Sequence, residues 1–460
     1  MKIKNKKVII SLGILVVLIV SIGLVYLTYN DSKNVDRNKE LMAMVLYSKD
    51  NEVMLMDNDS VIYTFRDCDM EVNAGDDVLI EYTGLLDKNK EIQDCSIIDY
   101  KTIMVDKENN GIPSDWMDNG IFSKYYILAY NKLKTLSLDE KIGQILLVRY
   151  PDSNQAKILE EYKFAGYVFF EKDFRDKTKE EVINMISELQ SVSDIPILTA
   201  VDEEGGSVVR VSSNKNLASE KFKSPREVYA SGGFDAIKED TINKSKLLKS
   251  LGINLNLAPV VDVSTNPSDY MYARSLGEGT DITSTYAKTV IDASRNTGVS
   301  YTLKHFPGYG NNADTHTGSS VDSRNYDEII KNDIPPFKAG VNAGAEAVLV
   351  SHNIVNSIDS DNPASLSPLV HNLLRDEVLF TGIVMTDDLS MGATSSIDNA
   401  VVKAILAGND LIITTDYEND IANIKKSISD GSISEDIIDK LAFRVIAWKY
   451  YKGLMFENQK

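Results

Sequence analysis

The stretch YTLKHFPGYGNNADTH, residues 301–316, joins an apolar β run directly to a loop rich in reactive side chains. Tyr301–Phe306 is predicted to be a strand, and this strand and the loop after it together carry two of the four histidines of the chain, His305 and His316. Asp314 and His316 alternate across Thr315, so an extended loop would present both side chains on one face. A carboxylate there can fix the tautomer of the imidazole, as a general acid or base requires, although an isolated D-x-H pair is often only structural.

Apolar runs of the same kind recur along the chain after about Ile121, with helical patterns between them. Eight runs over this length predict an α/β fold, a parallel (β/α)8 barrel of the TIM type rather than a doubly wound sheet. Polar side chains follow several runs, and barrel active sites lie at the carboxyl ends of the strands. The predicted strands are Gln144–Val148, Gly166–Phe170, Pro196–Val201, Asn254–Ala258, Tyr301–Phe306, Ala345–Ser351, Gly382–Thr386 and Asp410–Thr414.

Two more of these strand ends carry candidate chemistry. The run VMTDDLSM ends in the adjacent carboxylates Asp387 and Asp388. One of them could attack an anomeric carbon while the other caps the following helix, or both could simply cap and face solvent. The run VDEEGG, residues 201–206, is followed by Arg210. Paired Asp and Arg suit the hydroxyls of a sugar, although a double glycine after a strand is common in loops generally.

Taken together, these segments resemble glycoside hydrolase family 3, and specifically its β-N-acetylglucosaminidase branch. The order of the motifs along the chain is that of the family, and the resemblance covers about residues 136–411. Tyr309, Ser207 and Asn311-Asn312 depart from the usual pattern but remove no expected catalytic group. The motifs that carry the resemblance are LSLDEKIGQILLV near Ser137, VDEEGG with Arg210, RSLG at 274–277, KHFPGYG with D-x-H, PASLS at 363–367 and TDDLSM.

The resemblance implies a role for each matching residue. Asp387 would be the nucleophile, with Asp388 less favoured because the family position is the first carboxylate after the strand. His316 would be the acid/base and Asp314 its partner. The hydroxyls of the terminal sugar would be held by Asp202, Arg210, Arg274, Lys304 and His305. Of the remaining histidines, His352 is predicted to pack at a strand end and His371 to lie on a helix surface.

These roles predict a retaining exo-β-N-acetylglucosaminidase that acts on peptidoglycan fragments by double displacement. A β-glucosidase or β-xylosidase of the same family is the first alternative, but its acid/base often comes from an additional C-terminal domain. A non-catalytic, wall-binding scaffold is the second, and the intact Asp387, Asp314 and His316 argue against it. Phosphorolysis in place of hydrolysis is a narrower alternative. None of these functions requires a metal or an organic cofactor.

The amino-terminal segment differs from the rest of the chain. Four lysines precede an uncharged apolar run, Val8–Leu27, which as a helix would span roughly 30 Å, the thickness of a bilayer core. Residues 1–30 are therefore predicted to be a single-pass membrane anchor, with the lysines cytoplasmic and the body extracellular. The other predicted domains are a small β-rich domain at 31–105, a linker at 106–120 and the barrel at 121–460.

The composition argues against nucleic acid as a partner. The 68 acidic residues outnumber the 49 lysines and arginines and give a net charge of −19. Such a surface repels phosphate backbones, so nucleic acid is not an expected partner.

Both cysteines, Cys68 and Cys95, fall in the small β-rich domain. They could pair in an oxidising exterior or remain two separate thiols.

Overall fold

The computed structural model describes residues 39–68, 70–86, 94–104, 109–310 and 320–457. The chain divides into two compact units, residues 1–114 and residues 115–460. No helix within the described ranges is long and apolar enough to span a bilayer. The anchor predicted at 1–30 lies outside the described residues, as does the side chain of Cys95. The anchor and a Cys68–Cys95 pairing therefore stay predictions.

The first unit contains an antiparallel sheet built from the β-rich runs of the sequence. Its strands follow the order β3-β2-β1-β4-β5. Burial alternates along β4, as expected for a strand with one face on a core. Val45, Val53 and Ile80 lie at the centre of that core and are fully buried. The strands are β1 (Lys39–Lys49), β2 (Glu52–Asp57), β3 (Ile62–Arg66), β4 (Asp77–Leu85) and β5 (Asp94–Met104).

The second unit is built on a parallel eight-stranded sheet, and each of its strands lies in or overlaps one of the eight runs predicted as strands. Every residue of the strand Gly166–Phe169 is buried, because a parallel sheet of this kind is covered on both faces. The strands are β6 (Leu146–Arg149), β7 (Gly166–Phe169), β8 (Leu198–Val201), β9 (Leu255–Asn256), β10 (Ser300–Phe306), β12 (Ala347–Val350), β14 (Ile383–Thr386) and β15 (Ile412–Thr414). Two short strands, β11 (Val321–Asp322) and β13 (Ile354–Val355), pair separately.

The sheet curls into a nearly closed barrel. Its order is β14-β12-β10-β9-β8-β7-β6-β15, so β14 and β15 are the two edges. A parallel bridge between Met385 and Leu411 joins these edges, and the Asp410 N–H donates to the Val384 carbonyl at 2.8 Å. The predicted barrel is thus confirmed, and the carboxyl ends of its strands meet around one opening.

Helices connect the strands, and their first turns follow from local sequence. The side chains of three capping residues each accept the backbone N–H of the glutamate three residues further on, and the carboxylate of that glutamate accepts the backbone N–H of the capping residue. These residues are Ser137, Thr178 and Ser224. The longest helix bends at Gly232-Gly233, where Gly233 has φ +63°. The helices are α1 (Tyr126–Leu133), α2 (Leu138–Gln144), α3 (Gln155–Tyr162), α4 (Glu171–Phe174), α5 (Lys179–Ser191), α6 (Pro225–Ser250), α7 (Thr280–Ser294), α8 (Tyr326–Asn332), α9 (Ile334–Asn342), α10 (Pro368–Asn372), α11 (Ala400–Ala407), α12 (Tyr417–Ser429), α13 (Glu435–Tyr451) and α14 (Leu454–Glu457).

Helix α13 and the residues that follow it fasten the amino ends of the strands, away from the opening. Lys452 donates to the Asn254 carbonyl at 2.8 Å, just before β9. Arg444 donates to the Thr381 carbonyl at 2.7 Å, just before β14. Burial lowers the pKa of Lys452 to about 8. The end of the barrel that this helix covers is therefore structural, and the opposite end is left for a ligand.

Candidate active site

A cavity of about 790 Å³ opens at the carboxyl ends of the strands. That volume lies within the range of sites for small molecules, roughly 300–1,000 Å³. The five residues that the sequence predicts to hold a sugar all line this cavity, and so does the predicted nucleophile. They are Asp202, Arg210, Arg274, Lys304, His305 and Asp387.

A β-bulge at His305 explains how two consecutive residues of one strand reach the same cavity. Side chains of a regular strand alternate between faces, so Lys304 and His305 would normally point apart. In β10, however, Lys304 pairs with Leu349 and Phe306 pairs with the next residue of β12, which leaves His305 as an extra residue. Bulges of this kind redirect side chains next to active sites.

Lys304 lies at the centre of an ion-pair network. Its ammonium group is 2.8 Å from Asp202 Oδ1 and 2.7 Å from Glu204 Oε1. The Lys304 side chain is 3% exposed and that of Glu204 is 1% exposed, whereas that of Asp202 is 17% exposed. Glu204 therefore forms the buried base of the network, and Asp202 presents its carboxylate to the cavity.

Two arginines extend the network on either side. Arg274 makes a two-point contact with Glu204, at 2.6 Å from Nη2 and 3.0 Å from Nε. Arg210 lies 3.4 Å from Asp202. Positive and negative groups thus alternate from Arg210 through Asp202, Lys304 and Glu204 to Arg274. Such a row offers fixed donors and acceptors to a ligand with several hydroxyl groups.

The network sets the ionisation of its members. Burial alone would raise the pKa of Glu204, but the charges of Arg274 and Lys304 outweigh it and hold the pKa well below its usual range. Asp202 follows the same pattern, since burial is outweighed by Lys304 and Arg210 and its pKa is lowered. Burial would lower the pKa of Lys304, yet Asp202 and Glu204 raise it. All these groups are therefore charged at neutral pH.

Asp262 is a member of the site that sequence analysis missed. Its Oδ2 lies 2.8 Å from His305 Nδ1, and its Oδ1 accepts the Tyr309 N–H at 2.7 Å. A carboxylate only accepts, so Asp262 favours the tautomer of His305 that carries its proton on Nδ1. The other ring nitrogen, Nε2, lies 3.5 Å from Arg274 Nη2 on the cavity side. A polar residue soon after the predicted strand Asn254–Ala258 was the available signal.

Glu203 was also given no role by the sequence. It is fully buried, and its carboxylate accepts the backbone N–H groups of Arg210 and Val211 at 2.8 and 2.7 Å. It also accepts the hydroxyl of Ser212. Glu203 therefore stabilises the turn that places Arg210 at the cavity. This structural role accounts for the acidic residue between Asp202 and Glu204.

Asp387 follows β14 and is half-buried at the rim of the cavity. Its N–H donates to the Val350 carbonyl of β12 at 3.2 Å. His352 contacts the residue that follows Asp387, with Nε2 3.0 Å from the Asp388 carbonyl.

His371 was predicted to lie on a helix surface, and this prediction is wrong. The residue is 3% exposed, and its Nδ1 lies 2.8 Å from the Ser367 carbonyl.

Asp314 and His316 belong to residues 311–319, outside the described residues. Their predicted roles therefore stay predictions. The residues on either side are described and contact one cluster. Arg324 lies 2.7 Å from both Asp322 and Asp333. A Cβ built on Gly310 would lie 2.6 Å from the Arg324 guanidinium, so this position needs glycine.

Comparison with known proteins finds matches that cover half of the chain or more. Residues 137–448 match the family model described as the N-terminal domain of glycosyl hydrolase family 3. Among curated proteins, the β-hexosaminidase LpqI of Mycobacterium tuberculosis is 28% identical over 332 residues, covering 68% of this chain and 83% of that protein. A β-hexosaminidase of Stenotrophomonas maltophilia strain K279a is 30% identical over 241 residues, covering 50% of this chain and 69% of the relative.

Solved structures give the same result. A family 3 β-N-acetylglucosaminidase from Paenibacillus sp. str. FPU-7 superposes with a TM-score of 0.65 at 27% identity. The match covers 69% of this chain and 63% of that protein, so this chain spans just under two thirds of its length. M. tuberculosis LpqI superposes with a TM-score of 0.63 at 28% identity, covering 69% of this chain and 95% of that one.

Proposed function

The chain belongs to glycosyl hydrolase family 3 and is a glycoside hydrolase, and from this premise we propose that it is a retaining exo-β-N-acetylglucosaminidase. The observation that carries the proposal is the shared cavity, in which the alternating row from Arg210 to Arg274 lies together with Asp387. The row supplies contacts for the hydroxyls of one terminal sugar. Asp387 supplies a carboxylate that can reach its anomeric carbon.

The proposed reaction has two displacements. In the first, an Asp387 oxygen forms a bond to the anomeric carbon while the bond to the leaving oxygen breaks. His316, held by Asp314, gives its proton to that oxygen. In the second, His316 takes a proton from water as the water oxygen attacks the anomeric carbon and releases Asp387. The sugar leaves with its original β configuration, and the enzyme returns to its starting state.

The proposed substrate is a peptidoglycan-derived fragment with a terminal N-acetylglucosamine. The β-hexosaminidase names of the curated relatives and the β-N-acetylglucosaminidase of Paenibacillus support the acetamido sugar. The predicted anchor at residues 1–30 supports the cell wall as its source, because it would place the body outside the membrane. We accordingly propose a single-pass membrane protein with an extracellular active site.

The test is the release of nitrophenol from the β-N-acetylglucosaminide and from the β-glucoside by the full chain in detergent. We expect turnover of the acetamido sugar only, abolished in Asp387→Ala and strongly reduced in His316→Ala. Asp398→Ala, an exposed carboxylate of the same unit, is the matched control and should keep wild-type activity. Turnover of the glucoside alone would show that the substrate is a glucoside and not the acetamido sugar. If folded protein turned over neither compound, the non-catalytic, wall-binding scaffold would be favoured.

The stereochemistry is tested separately. Proton NMR of the first product formed should show the β anomer of N-acetylglucosamine before it equilibrates in water. An initial α anomer would overturn the double displacement. Repeating the reaction with inorganic phosphate tests the phosphorolysis alternative, because a sugar 1-phosphate would then replace the free sugar.

A further inference from the structure

Arg149 is a cation of the cavity that takes no part in the ion-pair network from Arg210 to Arg274. It is the last residue of β6 and lines the cavity. Its guanidinium lies over the ring of Phe170, with Cζ 4.3 Å from the ring centroid. The guanidinium of Arg210 contacts the same ring at 5.3 Å. Stacking of this kind orients a guanidinium and leaves the N–H groups at its edge available to a ligand.

The pairing of Arg149 differs from that of the other cations of the cavity. Arg210, Arg274 and Lys304 each lie within 3.4 Å of a carboxylate oxygen. Among the described residues, no carboxylate oxygen lies within 4.0 Å of an Arg149 nitrogen, the distance that defines an ion pair. In a chain with a net charge of −19, a cation that lines a cavity and has no such partner among the described residues is unusual.

Two carboxylates that the charge of Arg149 influences have other partners. Asp173 accepts the N–H of Phe170 at 2.7 Å and so caps α4. Asp152 forms an ion pair with Lys172. The charge of Arg149 acts on both carboxylates, but only from beyond contact distance. The guanidinium therefore remains available to an anion that enters the cavity.

We propose that Arg149, stacked on Phe170, binds a carboxylate of the leaving group and thereby selects acidic substrates. A guanidinium presents two parallel N–H groups that match the two oxygens of a carboxylate. In a disaccharide of N-acetylglucosamine and muramic acid, the lactyl carboxylate hangs from the carbon next to the one that bears the scissile oxygen. It therefore enters the same cavity as the cleaved bond. This inference rests on the proposed function and adds a determinant of specificity to it.

The test compares two leaving groups that differ at a single carboxyl group, which is charged in one and esterified in the other. The substrates are N-acetylglucosaminyl-β-1,4-N-acetylmuramic acid and its methyl ester, and the readout is the ratio of their kcat/KM values. Full-length wild type should prefer the free acid by about tenfold to 100-fold, as expected for a charged hydrogen bond. Arg149→Gln should bring this ratio close to one. Lys172→Gln removes a nearby but paired cation and should keep the wild-type ratio.

Arg149→Lys guards against a folding defect in the first variant. It keeps the charge without the two-point geometry, so the acid-to-ester ratio should fall between those of wild type and Arg149→Gln. A wild-type ratio near one, or an unchanged ratio in Arg149→Gln, would overturn the inference. Nitrophenyl β-N-acetylglucosaminide carries no carboxylate and is assayed alongside. If wild type turns it over but shows no preference for the acid, the inference fails and the proposed function stands. If folded wild type cleaves neither this substrate nor either disaccharide, the proposed function has failed, and the inference falls with it.

Discussion

Asp387 and Asp388 follow the same strand, yet their carboxylates are held in different ways. Asp388 accepts the Ser390 N–H on Oδ1 and the Thr415 hydroxyl on Oδ2, each at 2.9 Å. Asp387 accepts the Asp388 N–H on Oδ1 at 2.9 Å. Among the described residues, no donor lies within hydrogen-bonding distance of its Oδ2. Asp388 thus fixes the turn with both oxygens, while Asp387 lines the cavity with one oxygen that accepts no hydrogen bond from the described residues.

Replacement of the two aspartates should therefore have unequal effects. Asp387→Asn should lower kcat by about 10⁴-fold or more, because the amide cannot form the covalent intermediate. Asp388→Asn keeps an acceptor for Ser390 and a polar group near Thr415, so we expect a loss of no more than about tenfold. Rates with the nitrophenyl substrate measure both. A larger loss in Asp388→Asn than in Asp387→Asn would exchange their roles.

Removal of the carboxylate beside His305 should weaken sugar binding. Asp262 accepts from both the His305 ring and the Tyr309 N–H, whereas the amide of Asp262→Asn has one acceptor oxygen and would turn its NH2 group towards one of these donors. The His305 tautomer is then no longer fixed, and we expect kcat/KM to fall by roughly 10- to 100-fold. Calorimetric binding of N-acetylglucosamine should weaken in parallel. Asp269→Asn in the same loop, where Asp269 accepts the Ser264 hydroxyl at 3.0 Å, is the matched control. Wild-type kcat/KM in a folded Asp262→Asn protein would show that His305 does not depend on this partner.

Glu204 should make the barrel sensitive to acid. Its folded pKa lies below its ordinary value of 4.5, so its contribution to stability is complete above that pH and declines as the pH falls. Glu204→Gln leaves two buried cations short of a partner and should lower the free energy of unfolding by about 3–5 kcal/mol near neutral pH. The difference from wild type should shrink towards about pH 3, as protons bind the unfolded chain.

This dependence is measured by urea unfolding near neutral pH and near pH 3, from the transition of the second unit. Glu160→Gln, an exposed glutamate of α3, is the matched control and should change little at either pH. A loss of stability in Glu204→Gln that stays the same at both pH values would contradict a low folded pKa for Glu204. In that case the defect would come from packing rather than from charge.

The barrel could be predicted from the sequence because its strands are buried on both faces and therefore appear as continuous apolar runs. The boundaries could not always be predicted. Gln144 begins a predicted strand, but it ends α2 and its amide donates to the Lys163 carbonyl at 2.6 Å. The strand predicted at Asn254–Ala258 is only Leu255–Asn256, and just before it the Asn254 side chain accepts the Thr199 N–H at 3.0 Å. At both places a side-chain amide bonds a backbone group far away in the chain, and the local sequence does not reveal such a contact.

The candidate site shows the same division. Residues that follow strands directly, such as Asp202 and Lys304, could be placed in the cavity because strand ends converge. Their partners could not, since the choice of Glu204 for Lys304 and of Asp262 for His305 depends on loops that fold back over the opening. An acidic residue in a loop looks the same in the sequence whether it caps a turn, faces solvent or holds a buried cation.

The cluster around Arg324 should support the segment that carries Asp314 and His316. Arg324 contacts Asp322 on one side of residues 311–319 and lies against Gly310 on the other. If His316 is the acid, loss of this support should slow cleavage of poor leaving groups, which need a proton, more than that of good ones. Arg324→Met should lower kcat/KM for the phenyl β-N-acetylglucosaminide by about 100-fold but that of the dinitrophenyl compound by less than about threefold.

The control for that comparison is Arg295→Met, which removes an exposed arginine paired with Asp292 and should affect neither substrate. Gly310→Ala provides a second route to the same defect, because its Cβ would displace the Arg324 guanidinium and its φ of +58° disfavours a side chain. It should show the same dependence on the leaving group. Equal losses for both substrates in Arg324→Met would mean that the cluster stabilises the barrel as a whole and does not act through the acid.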